Sequence, residues 1–91
     1  MFFLVSYDIP DNARRNRVSK TLLDFGTRVQ YSVFECILDD ALRAEMEGRL
    51  RRIIDEDEDS IRVYSVCAGC ERKITVIGSG KVTKDEEVYI L

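Results

Sequence analysis

The sequence predicts an α+β fold, a ferredoxin-like sandwich with the element order βαββαβ. An apolar run that suits a buried strand opens the chain, and two stretches with apolar residues at helical spacing follow it. Strand-like stretches lie between these helices and after the second one. Because two helices cover only one face of such a sheet, we expect the other face to form a homodimer interface.

The chain length of 91 residues is enough for one compact domain and too short for two separate cores. We expect a ferredoxin-like domain over 1–78. A tail over 79–91 follows a Gly-Ser-Gly spacer and ends in a strand-like stretch. An apolar strand beyond a spacer needs an edge to pair with, so we expect this extra C-terminal strand to pair with the partner subunit.

Composition narrows the class of protein. No stretch is long and apolar enough to span a bilayer, and the first residues lack the basic residues of a secretory signal. We therefore expect a cytoplasmic protein without a membrane partner, whose three cysteines stay reduced. The net charge of −3 excludes a globally basic surface, so any nucleic-acid binding has to come from local patches.

The first half of the chain predicts a strand, a helix and a strand-like stretch. The run 2–7 is aromatic and β-branched, typical of a central strand buried on both faces. Asp11 or Asn12 then caps an amphipathic helix that we expect to stop at Gly26. The stretch 28–38 changes its apolar phase midway, which indicates a bend, a bulge or tight hairpin near Ser32, or burial of both faces.

The second half predicts one helix and two strands. Asp39 and Asp40 precede a helix with one apolar side and are its expected cap. The acidic run 55–59 ends this helix, and we interpret it as a solvated loop. The stretches 60–67 and 72–77 are strand-like.

Asp8 is the candidate catalytic and metal-binding residue. It follows the first predicted strand and precedes a turn and a helix, the place where open α/β sheets tend to bind ligands. Mg²⁺ is often held by one or two carboxylates together with water and phosphate oxygens, so one aspartate per subunit suffices if a two-fold axis pairs two copies. The alternative is an aspartate that only caps the turn.

Arginines and aromatic residues surround this position in the sequence. Arg14, Arg15 and Arg17 lie in the first turns of the predicted helix, where their guanidinium groups can reach phosphates or the nearby carboxylates, or simply form a solvated face. Tyr7 and Tyr31 could stack on bases, whereas Phe34 suits the core better.

Two cysteines form a CxxC pair, Cys67-Ala-Gly-Cys70. Because Cys36 is the only other cysteine and there is no histidine, a four-ligand zinc site within one chain would need a carboxylate, and we do not expect one. A redox CxxC normally opens a helix, but this pair joins two predicted strands, so we interpret it as a reduced turn. Without histidine or a glycine-rich phosphate loop, any hydrolysis would depend on metal-activated water.

Three sequence motifs, in this order along the chain, resemble those of a known protein family. They are Leu4-Val-Ser-Tyr-Asp8-Ile, Arg14-Arg-Asn-Arg-Val18 and Arg28-Val-Gln-Tyr-Ser-Val-Phe-Glu35. Together they resemble the signature of the small CRISPR-associated endonuclease family, the second core protein of spacer acquisition and the partner of the adaptation integrase. Length and the predicted later elements also fit, so the resemblance spans the whole chain.

The resemblance implies a homodimer in which the two copies of Asp8 face each other and bind Mg²⁺. It implies cleavage of single-stranded RNA or double-stranded DNA in some members, and association with the CRISPR integrase subunit. Arg15, Arg17 and Arg28 match positions of nucleic-acid contact, and Tyr7 and Phe34 match aromatic residues near the site.

Two functions remain open at this point. The first is a dimeric Mg²⁺-dependent endonuclease, which rests on the position of Asp8. The second is a non-catalytic structural adaptor that bridges integrase dimers and holds the spacer duplex; it rests on the single carboxylate per chain and the absent base. A toxin-like RNA interferase on the same fold is the weakest alternative.

Overall fold

A computed structural model describes residues 1–84 of the chain. Its elements, in order, are β1 (Phe2–Asp8), α1 (Asn12–Leu23), β2 (Gly26–Gln30), β3 (Val33–Ile37), α2 (Asp40–Arg51), β4 (Ser60–Val66) and α3 (Ala68–Glu71). The order confirms the predicted βαββαβ plan and adds the short helix α3. The expected extra C-terminal strand lies outside the described residues, and the division into 1–78 and 79–91 stays a prediction. None of the helices in the described part is long and apolar enough to cross a membrane.

The sheet has the strand order β2-β3-β1-β4, and each neighbouring pair is antiparallel. β1 is a central strand, as predicted: Val5 lies opposite Phe34 on one side and opposite Val63 on the other. The helix caps follow the sequence prediction, since Asp11 accepts from the amide of Arg14 at 2.9 Å and begins α1. The cap of α2 is Asp39.

The core lies between one face of the sheet and the helices α1 and α2. Its buried members alternate along the strands and recur at helical spacing along the helices. They include Phe3, Val5, Tyr7, Phe34 and Cys36 from the sheet and Val18, Leu22, Met46 and Leu50 from the helices. Burying this apolar area is the main source of the stability of the fold.

The opposite face of the sheet, called here the open sheet face, is less covered. Residues that alternate with the core residues form it; they include the buried Phe2 as well as Leu4, Ser6, Asp8, Glu35, Ile37, Arg62 and Tyr64. Leu4 and Ser6 are half-buried and Tyr64 is 47% exposed. The predicted burial of the first strand on both faces is therefore met on the helix side and only in part on the open sheet face.

A hairpin and a bulge together explain why the apolar residues between 28 and 38 change from one alternation to the other. β2 ends at Gln30, a two-residue turn follows, and the register shifts between Arg28 and Gln30. The carbonyl of Ser32 in this turn accepts a hydrogen bond from the amide of Tyr7 at 3.1 Å. The turn is thus held against the end of β1.

Gly26 does not end the first helix, contrary to the prediction. α1 ends at Leu23 with Asp24 as its C-cap, and Gly26 is the first residue of β2. A Cβ atom at this position would lie 2.3 Å from the carbonyl oxygen of Glu35 and 2.5 Å from the sulfur of Cys36. Glycine is needed here because β3 approaches the backbone so closely.

The predicted strand over 72–77 is wrong, because no strand forms there within the described residues. The chain leaves β4 through α3 and reaches the open sheet face further on, where the amide and hydroxyl of Thr83 donate to Glu35 Oε1 at 3.1 and 2.8 Å. The segment 72–77 pairs with neither of the edge strands β2 and β4, and β propensity without such pairing does not make a strand.

Candidate functional site

Asp8 is the last residue of β1 and its side chain is exposed. It lies opposite Ser60 in the β1–β4 register and, by alternation with the buried Tyr7, belongs to the open sheet face. Residues 1–84 contain no group of three or more cysteine, aspartate or glutamate side chains that could hold a metal ion. Within the described residues, Asp8 is therefore not part of such a ligand group. A single carboxylate fits Mg²⁺ when water, phosphate or a second subunit supplies the other oxygens.

Arg15 holds the loop that follows Asp8. Its Nη1 donates to the carbonyl of Ile9 at 3.0 Å and to that of Pro10 at 3.4 Å, and its Nη2 donates to Asn12 Oδ1. These contacts tie the start of α1 to the end of β1. Arg15 thus positions the backbone next to Asp8, besides the phosphate contact that the sequence predicts for it.

Arg14 is bound by the acidic segment before β4. Its Nε and Nη2 donate to the two carboxylate oxygens of Asp59 at 2.8 and 3.1 Å, and Nη2 also lies 3.1 Å from Glu58 Oε2. The hydrogen bond from Arg14 lowers the pKa of Asp59 and raises the pKa of Arg14 itself. Carboxylates of the protein therefore already neutralise Arg14, and a phosphate has to compete with them.

The interpretation of 55–59 as a solvated loop is wrong for Asp59, whose side chain is fully buried. Besides Arg14, its carboxylate accepts from the amide of Asp55 at 2.9 Å. A buried charge needs such partners because it has lost its water. The pair spans 45 positions in sequence, so no local pattern could have revealed it.

Arg17 and Arg28 differ in how freely they present their charge. Arg17 is exposed on α1 and forms no ion pair within the described residues. The guanidinium of Arg28 lies 5.3 Å from the ring centroid of Phe34 and donates to the hydroxyl of Ser19. Arg17 is consequently the arginine of α1 that can meet a phosphate without breaking a contact of the fold.

The three candidate aromatic residues divide into two groups. Tyr7 and Phe34 are core residues whose ring centroids are 6.3 Å apart, as expected for Phe34. The hydroxyl of Tyr7 donates to the carbonyl of Tyr31 at 2.9 Å. Tyr31 is 93% exposed at the tip of the β2–β3 hairpin. Of the three, only Tyr31 presents a ring that a base can stack on.

Sequence reasoning missed Arg62 as a member of the site. Arg62 lies opposite Ser6 in the β1–β4 register, two positions from the partner of Asp8, and therefore projects from the same face. Its Nη1 lies 3.5 Å from the hydroxyl of Tyr64, the next residue on that face. Polar and apolar residues alternate in Ser60-Ile-Arg-Val-Tyr64, and this alternation places Arg62 on the face of Asp8 once the register with β1 is known.

Fold and site together define a class: small ferredoxin-like domains with one exposed carboxylate at the end of β1 and arginines on the helix that follows. The family model described as "CRISPR associated protein Cas2" matches residues 1–74. The chain belongs to the Cas2 family of CRISPR-associated proteins, which confirms the resemblance seen in the three sequence motifs.

Individual relatives agree with this assignment. A CRISPR-associated endoribonuclease Cas2 of Chloroflexus aurantiacus is 43% identical over 91 residues, all of this chain and 98% of the relative. The crystal structure of Streptococcus pyogenes Cas2 has a TM-score of 0.76 and 38% identity, and covers 86% of this chain and 100% of that one. A chain of a partial Cas6-RT-Cas1–Cas2 complex has a TM-score of 0.72 and 26% identity, with coverage of 84% and 89%.

Proposed function

We propose that this Cas2-family chain is a dimeric, Mg²⁺-dependent endonuclease of spacer acquisition with Asp8 as its catalytic and metal-binding residue. The observation that carries the proposal is the exposed carboxylate of Asp8 at the end of the central strand β1, on the open sheet face. The endoribonuclease name of a relative that is 43% identical over the whole of this chain supports phosphodiester cleavage as the activity.

A homodimer through the open sheet face completes the proposed site. That face carries half-buried Leu4 and Ile37 and the partly exposed ring of Tyr64, apolar surface that a second copy would cover. Since Asp8 lies at the end of the same face, a two-fold related copy contributes a second Asp8. Two carboxylates are the number of protein ligands that Mg²⁺ commonly takes.

Mg²⁺ bound by the Asp8 carboxylates would supply activated water and stabilise charge on the scissile phosphate. The chain's own residues bind and orient the nucleic acid. Arg62 on the same face as Asp8 pairs with the scissile or neighbouring phosphate, and Arg17 on α1 neutralises the next phosphates along the strand. Arg15 keeps the loop after Asp8 in place through its bonds to the carbonyls of Ile9 and Pro10.

Single-stranded RNA is the preferred substrate in this proposal, and duplex DNA is the second. An exposed ring at the hairpin tip, Tyr31, suits an unpaired base, because only unstacked bases are free to stack on a side chain. The net charge of −3 weakens the affinity for the densely charged duplex, and the acidic segment before β4 weakens it further.

The test compares wild type with Asp8→Asn on short RNA and on duplex DNA, with Mg²⁺ and with a chelator, at near-physiological salt. Asp57→Asn also removes an exposed carboxylate, here from the acidic segment, and is the matched control. We expect cleavage by wild type and Asp57→Asn that needs Mg²⁺, and none by Asp8→Asn with its dimer intact. Equal cleavage by all three proteins would overturn the assignment of Asp8.

The second candidate function is a non-catalytic adaptor that binds the spacer duplex and bridges integrase dimers. The similar chain in the Cas6-RT-Cas1–Cas2 complex favours it, and so does the lack, within the described residues, of a group of three or more side chains that could hold a metal ion. The adaptor requires that integrase binding survives Asp8→Asn and is lost when 88–91 are deleted. A pull-down of the integrase subunit with both variants decides this, and an intact complex after the deletion would contradict the role of the tail.

A further inference from the structure

Cys67 and Cys70 occupy one exposed helical turn directly after β4. Cys67 has an extended backbone and is the N-cap of α3, and its carbonyl accepts from the amide of Glu71 at 2.8 Å. Both cysteines are exposed, and beyond the neighbouring residues and the backbone of α3 no atom lies within 4 Å of where a Cβ of Gly69 would be. The CxxC pair thus opens a helix, and the interpretation of this segment as a turn joining two strands is wrong.

The two sulfur atoms affect each other. The backbone amide and the thiol of Cys70 lower the pKa of Cys67, while the thiol of Cys67 raises the pKa of Cys70. A thiolate at Cys67 is thus stabilised next to a protonated thiol at Cys70. Cys36 differs from both: it is buried in the core, and desolvation raises its pKa to about 11. Thiolate character and access decide which cysteines react, and exposed Cys67 meets both conditions while buried Cys36 meets neither.

We propose that Cys67 and Cys70 form a reversible dithiol–disulfide pair that is oxidised by disulfides of the glutathione type. The geometry carries this: two exposed thiols three positions apart, one at the N-cap of α3 and one in its single turn, in a segment with room for a bulky reagent. Two sulfur ligands are too few for a zinc site, and residues 1–84 contain no third ligating group nearby.

The exchange has two balanced steps. The Cys67 thiolate attacks one sulfur of the small disulfide, forming a mixed disulfide and releasing one thiolate that takes up a proton. Cys70 then loses its proton and attacks the Cys67 sulfur, which closes the Cys67–Cys70 bond and releases the second thiolate. In total, the two protein thiols are oxidised by two electrons and one small disulfide is reduced to two thiols.

Oxidation acts on the turn through which the chain leaves the sheet. The amides of Glu71 and Arg72 donate to the carbonyls of Cys67 and Ala68 at 2.8 and 3.3 Å, respectively. Both carbonyls belong to the stretch 67–70 that a disulfide would close into a ring. The segment that follows runs to the open sheet face, where Thr83 bonds Glu35. A disulfide would therefore fix the starting direction of this segment.

The experiment incubates the full chain with oxidised glutathione, blocks the remaining thiols with a maleimide and identifies the products by mass spectrometry. We expect a Cys67–Cys70 disulfide in wild type while Cys36, the control within the same molecule, remains a thiol. Cys70→Ser should accumulate a glutathione adduct on Cys67, and Cys67→Ser should react several-fold more slowly at Cys70. Wild-type thiols that all remain free for the maleimide would overturn the proposal, and equal rates in the two variants would overturn the assigned roles.

Hydrogen exchange provides a second readout that does not depend on nuclease activity. The amides of Glu71 and Arg72 should exchange more slowly in the oxidised chain than in the reduced one. Unchanged exchange would contradict the claim that the disulfide fixes this turn. Cys67→Ser in the same oxidant is the control, since it cannot close the ring.

Discussion

Arg14 donates two hydrogen bonds to the buried carboxylate of Asp59, from Nε to Oδ2 at 2.8 Å and from Nη2 to Oδ1 at 3.1 Å. The pair joins the first turn of α1 to the residue before β4. Ser60 is the register partner of Asp8, and α1 begins four residues after Asp8. The ion pair therefore connects the two segments that flank Asp8. The end of β1 is held in place by an ion pair that includes neither Asp8 nor its direct neighbours.

Asp59→Asn should lower the urea midpoint at neutral pH, because Arg14 loses its buried partner. In the folded protein the pKa of Asp59 is depressed, so this carboxylate stabilises the fold above its ordinary pKa, and the stabilisation disappears as the pH falls through the lowered value. Wild type and variant should therefore differ at pH 7 and converge in strong acid. Glu58→Gln, whose side chain is 61% exposed, is the control and should change the midpoint little. A constant difference at all pH values would contradict the role of the charge.

Two glycine substitutions should have opposite effects on stability. Gly26→Ala places a methyl group 2.3 Å from the carbonyl oxygen of Glu35, so β2 has to move away from β3. We expect a loss of about 1–3 kcal/mol in the free energy of unfolding, the usual cost of overpacking. Gly48→Ala in α2 meets no atom within 4 Å and should stabilise the protein by about 0.5–1 kcal/mol through helix propensity. Urea unfolding measures both, and a Gly26→Ala protein as stable as wild type would contradict the close approach.

Tyr31→Ala should weaken binding of single-stranded RNA by about 1–3 kcal/mol, the range for loss of one base-stacking ring. Stability should stay the same, since the side chain is 93% exposed and only the backbone carbonyl accepts the bond from Tyr7. Tyr31→Phe keeps the ring and should bind like wild type. Fluorescence anisotropy with a labelled oligonucleotide, in an Asp8→Asn background that prevents cleavage, measures the affinity. Equal affinities of all three proteins would show that no base stacks at this position.

Arg17→Ala should reduce the salt dependence of nucleic-acid binding, lowering the slope of log K against log salt by about 1. The exposed Arg17 has no ion pair within residues 1–84, so its removal costs the fold little. Arg72→Ala makes the same change of charge beyond the other end of the sheet, where Val66 pairs with Phe2, and should leave the slope unchanged. Identical slopes for the two variants would mean that α1 does not follow the phosphates.

Features with a local cause could be predicted. The apolar run ending at Asp8, the caps Asp11 and Asp39 and the order of the first six elements all follow from neighbouring residues. The family motifs also lie in continuous stretches, which explains why the resemblance was visible before the fold. The same local reasoning failed at Gly26 and at 72–77, where propensity suggested a helix stop and a strand. At Gly26 a close contact with β3 decided the outcome, and 72–77 pairs with neither edge strand of the sheet within the described residues.

The sequence by itself determined the order of the first six elements and where Asp8 would lie, because periodicity and capping act over a few residues. Only the tertiary structure decided which charges are free: it pairs Arg14 with Asp59, leaves Arg17 exposed and places Arg62 on the face of Asp8. The same holds for the aromatic residues, since it buries Tyr7 and exposes Tyr31. The physical reason is that burial and ion pairing depend on residues that are distant in sequence and meet only when the sheet register is set.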